Sequence, residues 1–122
     1  MTTYQATRVY FKDERHGFFI MNKKSNVSGD LIRIINQNGT EQLSIEIGVR
    51  LKEVDPGFYQ TQIGHVKETD IQAVVELARN NPPTPPQTFR EWTDAFIEML
   101  TKEGLLSSWA PGTNFPASWG RA

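Results

Sequence analysis

The chain has 122 residues, enough for one domain with a single substantial core and too few for two. Hydrophobic residues make up 38% and charged residues 22%, a globular rather than a disordered composition, and cysteine is absent, which excludes disulfides, thiolate metal sites and a cysteine nucleophile together. The 13 lysines and arginines balance 14 aspartates and glutamates along the whole chain, so electrostatics gives no reason to propose nucleic acid or an anionic membrane as partner.

The first half predicts strands. Thr3 to Lys12 is rich in aromatic and β-branched residues, and Gly17 to Asn22 carries the apolar run Phe18, Phe19, Ile20, Met21, which suits a strand buried on both faces. Lys23 to Asp30, with its Asn, Ser and Gly, predicts a loop before a strand from Leu31 to Ile35. Asn38-Gly39 then signals a tight hairpin, because both central residues of that turn need positive φ. Leu43, Ile45, Ile47, Val49 and Leu51 alternate with polar residues and glycine, the pattern of a strand with one buried and one wet face. After the turn at Asp55-Pro56-Gly57, Phe58 to Val66 predicts a fifth strand, with Tyr59, Thr61, Ile63 and His65 on one face and Gln60, Gln62, Gly64 and Val66 on the other.

Two helices follow. Thr69 and Gln72 stand at capping-box spacing ahead of Ile71, Val74, Val75 and Ala78, and Asn80-Asn81 closes that helix before Pro82-Pro83. Thr88 and Glu91 form a second capping box before the stripe Phe89, Trp92, Phe96, Met99 and Leu100, with Gly104 as the stop. Strands first and helices later imply an α+β fold: a five-stranded, mostly antiparallel sheet with two C-terminal helices on one face, within a domain of residues 1–106. Residues 107–122 form a Pro/Gly/Ser-rich tail that carries Trp109, Phe115 and Trp119. That much aromatic surface is expected to be tied down, across its own domain or in a homodimer.

The N-terminus has no basic segment followed by an apolar run, and no uncharged apolar stretch reaches bilayer length, so a cytoplasmic protein that does not enter membranes is expected. Asn26-Val27-Ser28 and Asn38-Gly39-Thr40 match a glycosylation acceptor pattern and are read as turns.

His16-Gly17-Phe18-Phe19-Ile20, Gly29-Asp30-Leu31-Ile32, Gln62-Ile63-Gly64-His65-Val66, the prolines between 82 and 86, Arg90-Glu91-Trp92-Thr93 and Gly104-Leu105-Leu106 occur in an order that resembles an uncharacterised family of small fungal proteins. In many of those the strand reads His-Trp and the late helix Cys-Gln-Glu-Trp, an arrangement similar to a permuted papain-like hydrolase with histidine ahead of cysteine. The resemblance spans roughly residues 8 to 106. It implies that His16 is retained while Gly17 replaces the tryptophan and Phe89 takes the place of the thiol.

The residues themselves leave two functions open. One is a non-catalytic module, a degenerate relative of that hydrolase group, that binds a small apolar molecule or a protein in a pocket of His16, Phe18, His65, Phe89 and Trp92. The other is a small cysteine-independent fungal metabolite-tailoring enzyme, a cyclase or isomerase, in which His16 or His65 acts as general acid or base. Thr88 is better used as a helix cap than as a nucleophile. The two histidines with Asp13 or Glu14 lack tight ligand spacing, so no metal is expected, and no cofactor.

Overall fold

The computed structural model describes residues 3–13, 15–22, 25–84 and 88–107. Five strands form one antiparallel sheet: β1 (Thr3–Tyr10), β2 (His16–Asn22), β3 (Ser25–Gln37), β4 (Thr40–Arg50) and β5 (Tyr59–Lys67), in the spatial order β4-β3-β2-β1-β5. A short helix α1 (Leu51–Val54) follows β4, and α2 (Ile71–Arg79) and α3 (Phe89–Lys102) follow β5. The α+β architecture is thus the one expected. No helix among the described residues is long and apolar enough to cross a membrane.

β2 is central and buried on both sides, as its unbroken apolar run requires. Phe18 and Ile20 join Ala6, Ile32, Ile34 and Val66 beneath α2 and α3, whose Val74, Ala78, Trp92, Phe96 and Leu100 close the larger core. Phe19 and Met21 point the other way, to a smaller core with Val9, Phe11, Leu31 and Leu51 of α1. The sheet is therefore the middle layer between two apolar clusters. In the larger one Trp92 stacks on Phe96 at 4.9 Å and Phe96 meets Phe18 edge-on at 5.6 Å.

Local signals explain most element ends. Asn38 and Gly39 have φ of 55° and 82°, so the β3–β4 turn adopts the positive-φ geometry that Asn-Gly encodes. Thr88 accepts from the Glu91 N–H at 3.1 Å while the Glu91 carboxylate accepts from the Thr88 N–H at 3.0 Å, a complete capping box. Thr69 does not do the same. It lies in a 3₁₀ turn, Glu68–Asp70, and α2 starts after Asp70 without a side-chain cap.

Three further differences from the sequence reading come from strand pairing. β3 begins at Ser25 rather than Leu31, because Met21 pairs with Gly29 and Asn22 with Ser25, extending the ladder through the expected loop. Asn26 thus stands within a strand, not a turn. In β4 the register against β3 shifts between Gly29 and Leu31, opposite Ile47 and Gly48, where Gly48 has φ of 65°. The single apolar face expected there is split: Leu43 and Ile45 pack on the larger core, Ile47 is 68% exposed, and Val49 turns to the smaller core. In β5 a shift between Ala6 and Thr7 of β1 leaves Ile63 without a paired residue, so Tyr59 and His65 do not share a face.

The segment after α3 returns to the sheet. Leu106 is buried in the larger core, and Ser107 exchanges two backbone hydrogen bonds with His65, at 2.9 and 3.0 Å, on the outer edge of β5. The aromatic tail beyond it lies outside the described residues. This return depends on Gly64, whose φ is 156° and where a Cβ would collide with the Ser107 carbonyl oxygen. Gly64→Ala is expected to destabilise the fold by about 2 kcal/mol, within the range for overpacking and strained backbone, measured as a lowered denaturant midpoint at unchanged m-value. An unchanged midpoint would mean that the return of the chain adds nothing to stability.

Candidate functional site

His16 opens β2 directly opposite Tyr10 at the end of β1, on the face covered by α3. Only 8% of it is exposed. Its Nδ1 accepts from Arg8 Nε at 3.0 Å and faces Arg8 Nη2 at 2.7 Å, while Arg8 Nη1 pairs with Asp94 of α3 at 2.5 Å. A guanidinium has donors only, so Nδ1 must be the unprotonated nitrogen and the neutral ring carries its proton on Nε2. The outcome is a clasp, imidazole to guanidinium to carboxylate, that ties β2 and β1 to α3.

Aromatic rings extend this clasp to the surface. Tyr10 meets His16 edge-on at 4.6 Å and stacks on Tyr59 at 4.7 Å, and Tyr59 is half exposed at the start of β5. The start of α3 borders the same corner: the Arg15 guanidinium lies 4.5 Å from the Phe89 ring centre, and Arg15 also reaches the Ile34 carbonyl and Glu41, each at 3.3 Å. Burial lowers the His16 pKa below its usual value, the positive charges of Arg8 and Arg90 lower it further, and Asp94 opposes them.

The other candidate residues are dispersed. Phe18 and Trp92 are interior residues of the larger core, with Trp92 Nε1 donating to the Asn81 carbonyl at 2.7 Å. Phe89 is half-buried under Arg15. His65 pairs with Gln5, five residues along β1 from the Tyr10–His16 pair and on the opposite face, about 17 Å away at strand rise. The two histidines therefore serve no common site. Among the described residues no three His, Asp or Glu side chains converge as metal ligands.

Arg8, Asp94 and Tyr10 were not among the residues singled out from the sequence. The available signal was weak: Ala6, Arg8 and Tyr10 alternate toward the helices, and an arginine at such a position needs a partner. A concavity of about 220 Å³ lies elsewhere, lined by Tyr4, Ile20, Met21, Gly29, Asp30, Gly48 and Ile71, and neither histidine reaches it. Comparison with protein-family models, with curated proteins and with solved structures finds no match to this chain.

The clasp gives a signed pH dependence. A His16 pKa lowered in the folded state means that the unfolded chain binds more protons near and below pH 6.5, so stability is level above that pH and falls as pH drops through the folded pKa. The slope from this one proton cannot exceed about 1.4 kcal/mol per pH unit. In His16→Asn, whose amide oxygen can replace the Nδ1 acceptor, that share of the decline should vanish when urea midpoints are compared from pH 7.5 to 5. Parallel curves for the two proteins would show that His16 is not held neutral.

Proposed function

We propose that this chain is a non-catalytic binding module, a degenerate relative of a papain-like hydrolase group, that holds a small apolar molecule or a segment of a partner protein. The observation that carries this reading is the engagement of His16: its Nδ1 is bonded to Arg8, which in turn is bonded to Asp94. A general base needs a free lone pair within reach of a substrate proton, and the one lone pair of this neutral imidazole is already taken by a permanent cation. A lowered pKa also makes the ring harder to protonate near neutrality. The filled core around Phe18, Phe96 and Trp92 supports the same reading, since a cyclase or isomerase would need an enclosed space there.

The hydrolase kinship draws support from the corner where α3 starts. Phe89 occupies the first position of that helix, beneath Arg15, which is where a thiolate would gain from both the helix dipole and a guanidinium. Phe89→Cys should therefore acquire a thiol pKa below the ordinary ~8.5, read from the pH dependence of its alkylation by iodoacetamide, without gaining hydrolytic activity. An ordinary thiol pKa would remove the support that this corner gives to the kinship.

The module reading itself is tested by following libraries of small metabolites and short peptides by NMR in the presence of the protein. Saturable binding with every ligand chemically unchanged after a day is expected. Catalytic conversion of a library member, lost in His16→Asn and kept in Tyr59→Ala, would overturn the reading in favour of the acid-base enzyme.

A further inference from the structure

We infer that the concavity at the far end of the sheet from His16 is a docking site for a basic side chain, lysine or arginine, presented by an extended segment of a partner protein; the inference rests on the binding-module reading and names its ligand.

Among the described residues of the lining Asp30 alone carries a charge; it stands with Tyr4, the aliphatic Ile20 and Ile71, Met21 and two glycines. A carboxylate within apolar walls selects a cation on an aliphatic stem, because the stem packs on the walls while the charge reaches the acid. Asp30 is also positioned. Its Oδ1 accepts from the Gly48 N–H at 3.1 Å, across the register shift between β3 and β4, and its second oxygen has no partner among the described residues. The volume, about 220 Å³, lies below the roughly 300–1,000 Å³ of drug-sized pockets, so the site suits one side chain rather than a cofactor.

The surroundings favour an extended peptide as the carrier of that side chain. β4 ends the sheet, and among the described residues no strand pairs with its outer side. Gly48 belongs to both this strand and the concavity, and the neighbouring Ile47 stands 68% exposed. A peptide added along β4 would gain main-chain hydrogen bonds from the strand, with Ile47 as an apolar contact and the concavity as the selective pocket. The shift at Ile47 and Gly48 breaks the regular edge there, so the side-chain pocket sits where the ladder alone gives least.

The test uses the full chain and an eight-residue threonine-rich peptide with one central lysine, compared with the same peptide carrying norleucine, and with n-butylamine. Amide shifts at Gly48, Met21 and Ile71 with the lysine peptide, and at least tenfold weaker binding for norleucine and for the lysine peptide with Asp30→Asn, are expected. Asn at position 30 can still accept from Gly48, which keeps the strand junction intact and isolates the charge. Equal affinity for lysine and norleucine, or none for either, would overturn the site. Binding of n-butylamine as tight as the peptide would remove the extended partner. Tenfold tighter peptide binding in the double variant Lys23→Ala, Lys24→Ala would make a lysine of this chain the occupant and overturn the partner. Shifts confined to Tyr59 and Arg90 would overturn this site while leaving the module reading in place, whereas turnover would remove both.

Discussion

β2 lies at the centre of the sheet with Phe18 and Ile20 under the long helices and Phe19 and Met21 against Leu31, Val9 and Leu51, so two cores are anchored on seven residues. Each core alone is small for a chain of this length, and sharing one strand lets both be sealed without a second sheet. Side-chain alternation makes this binding constraint rigid, since a one-residue slip of β2 would exchange the contents of the two cores. The helices, the return of Leu106 and the placement of His16 all follow from how this strand is held.

The edges of the sheet relax what its centre fixes. One register shift in β4 and one in β5 change which face later residues present, and each lies beside a glycine with positive φ, Gly48 or Gly64. At Gly48 the shift turns Val49 toward the smaller core and delivers Leu51 to α1. At Gly64 it restores Val66 to the larger core after Tyr59 and Thr61 have followed the row of Tyr10 and Arg8. Irregularity here serves packing: a twisted sheet cannot keep both cores filled to its ends by strict alternation.

Arginines close the two layers at their rims. On the helix side Arg15 covers Phe89 and reaches Glu41, and on the other side Arg33 lies 5.1 Å from the Phe11 ring and pairs with Glu46 at 2.9 Å. In both places the aliphatic stem and planar head shield apolar surface while the charge remains paired. Arg8 differs because its head turns inward, to an imidazole. That choice makes His16 a neutral acceptor joining β1, β2 and α3.

Much of the architecture was legible from short-range patterns. The apolar run of β2, the Asn-Gly turn, the Thr88–Glu91 box and the stripe on α3 are local features, set by φ preferences, capping and periodicity, and they fixed the α+β class and the order of elements. The same patterns misled where partners decide. Ile47 looked like a core residue until the shift opposite Asp30 turned it to solvent, and Ser25 to Asp30 looked like a loop until pairing with β2 and β4 supplied ladder bonds. The histidines were visible as residue types, yet their environments were not: Arg8 and Asp94 lie eight and seventy-eight positions from His16, and no spacing rule links them. By itself the sequence determined the order of the five strands and the two long helices and that thiol chemistry is absent, because these depend on residue type and near neighbours. Only the tertiary structure decided which faces are buried and which distant polar groups are hydrogen-bonded, because those depend on cross-strand register and on contacts between elements far apart in the chain.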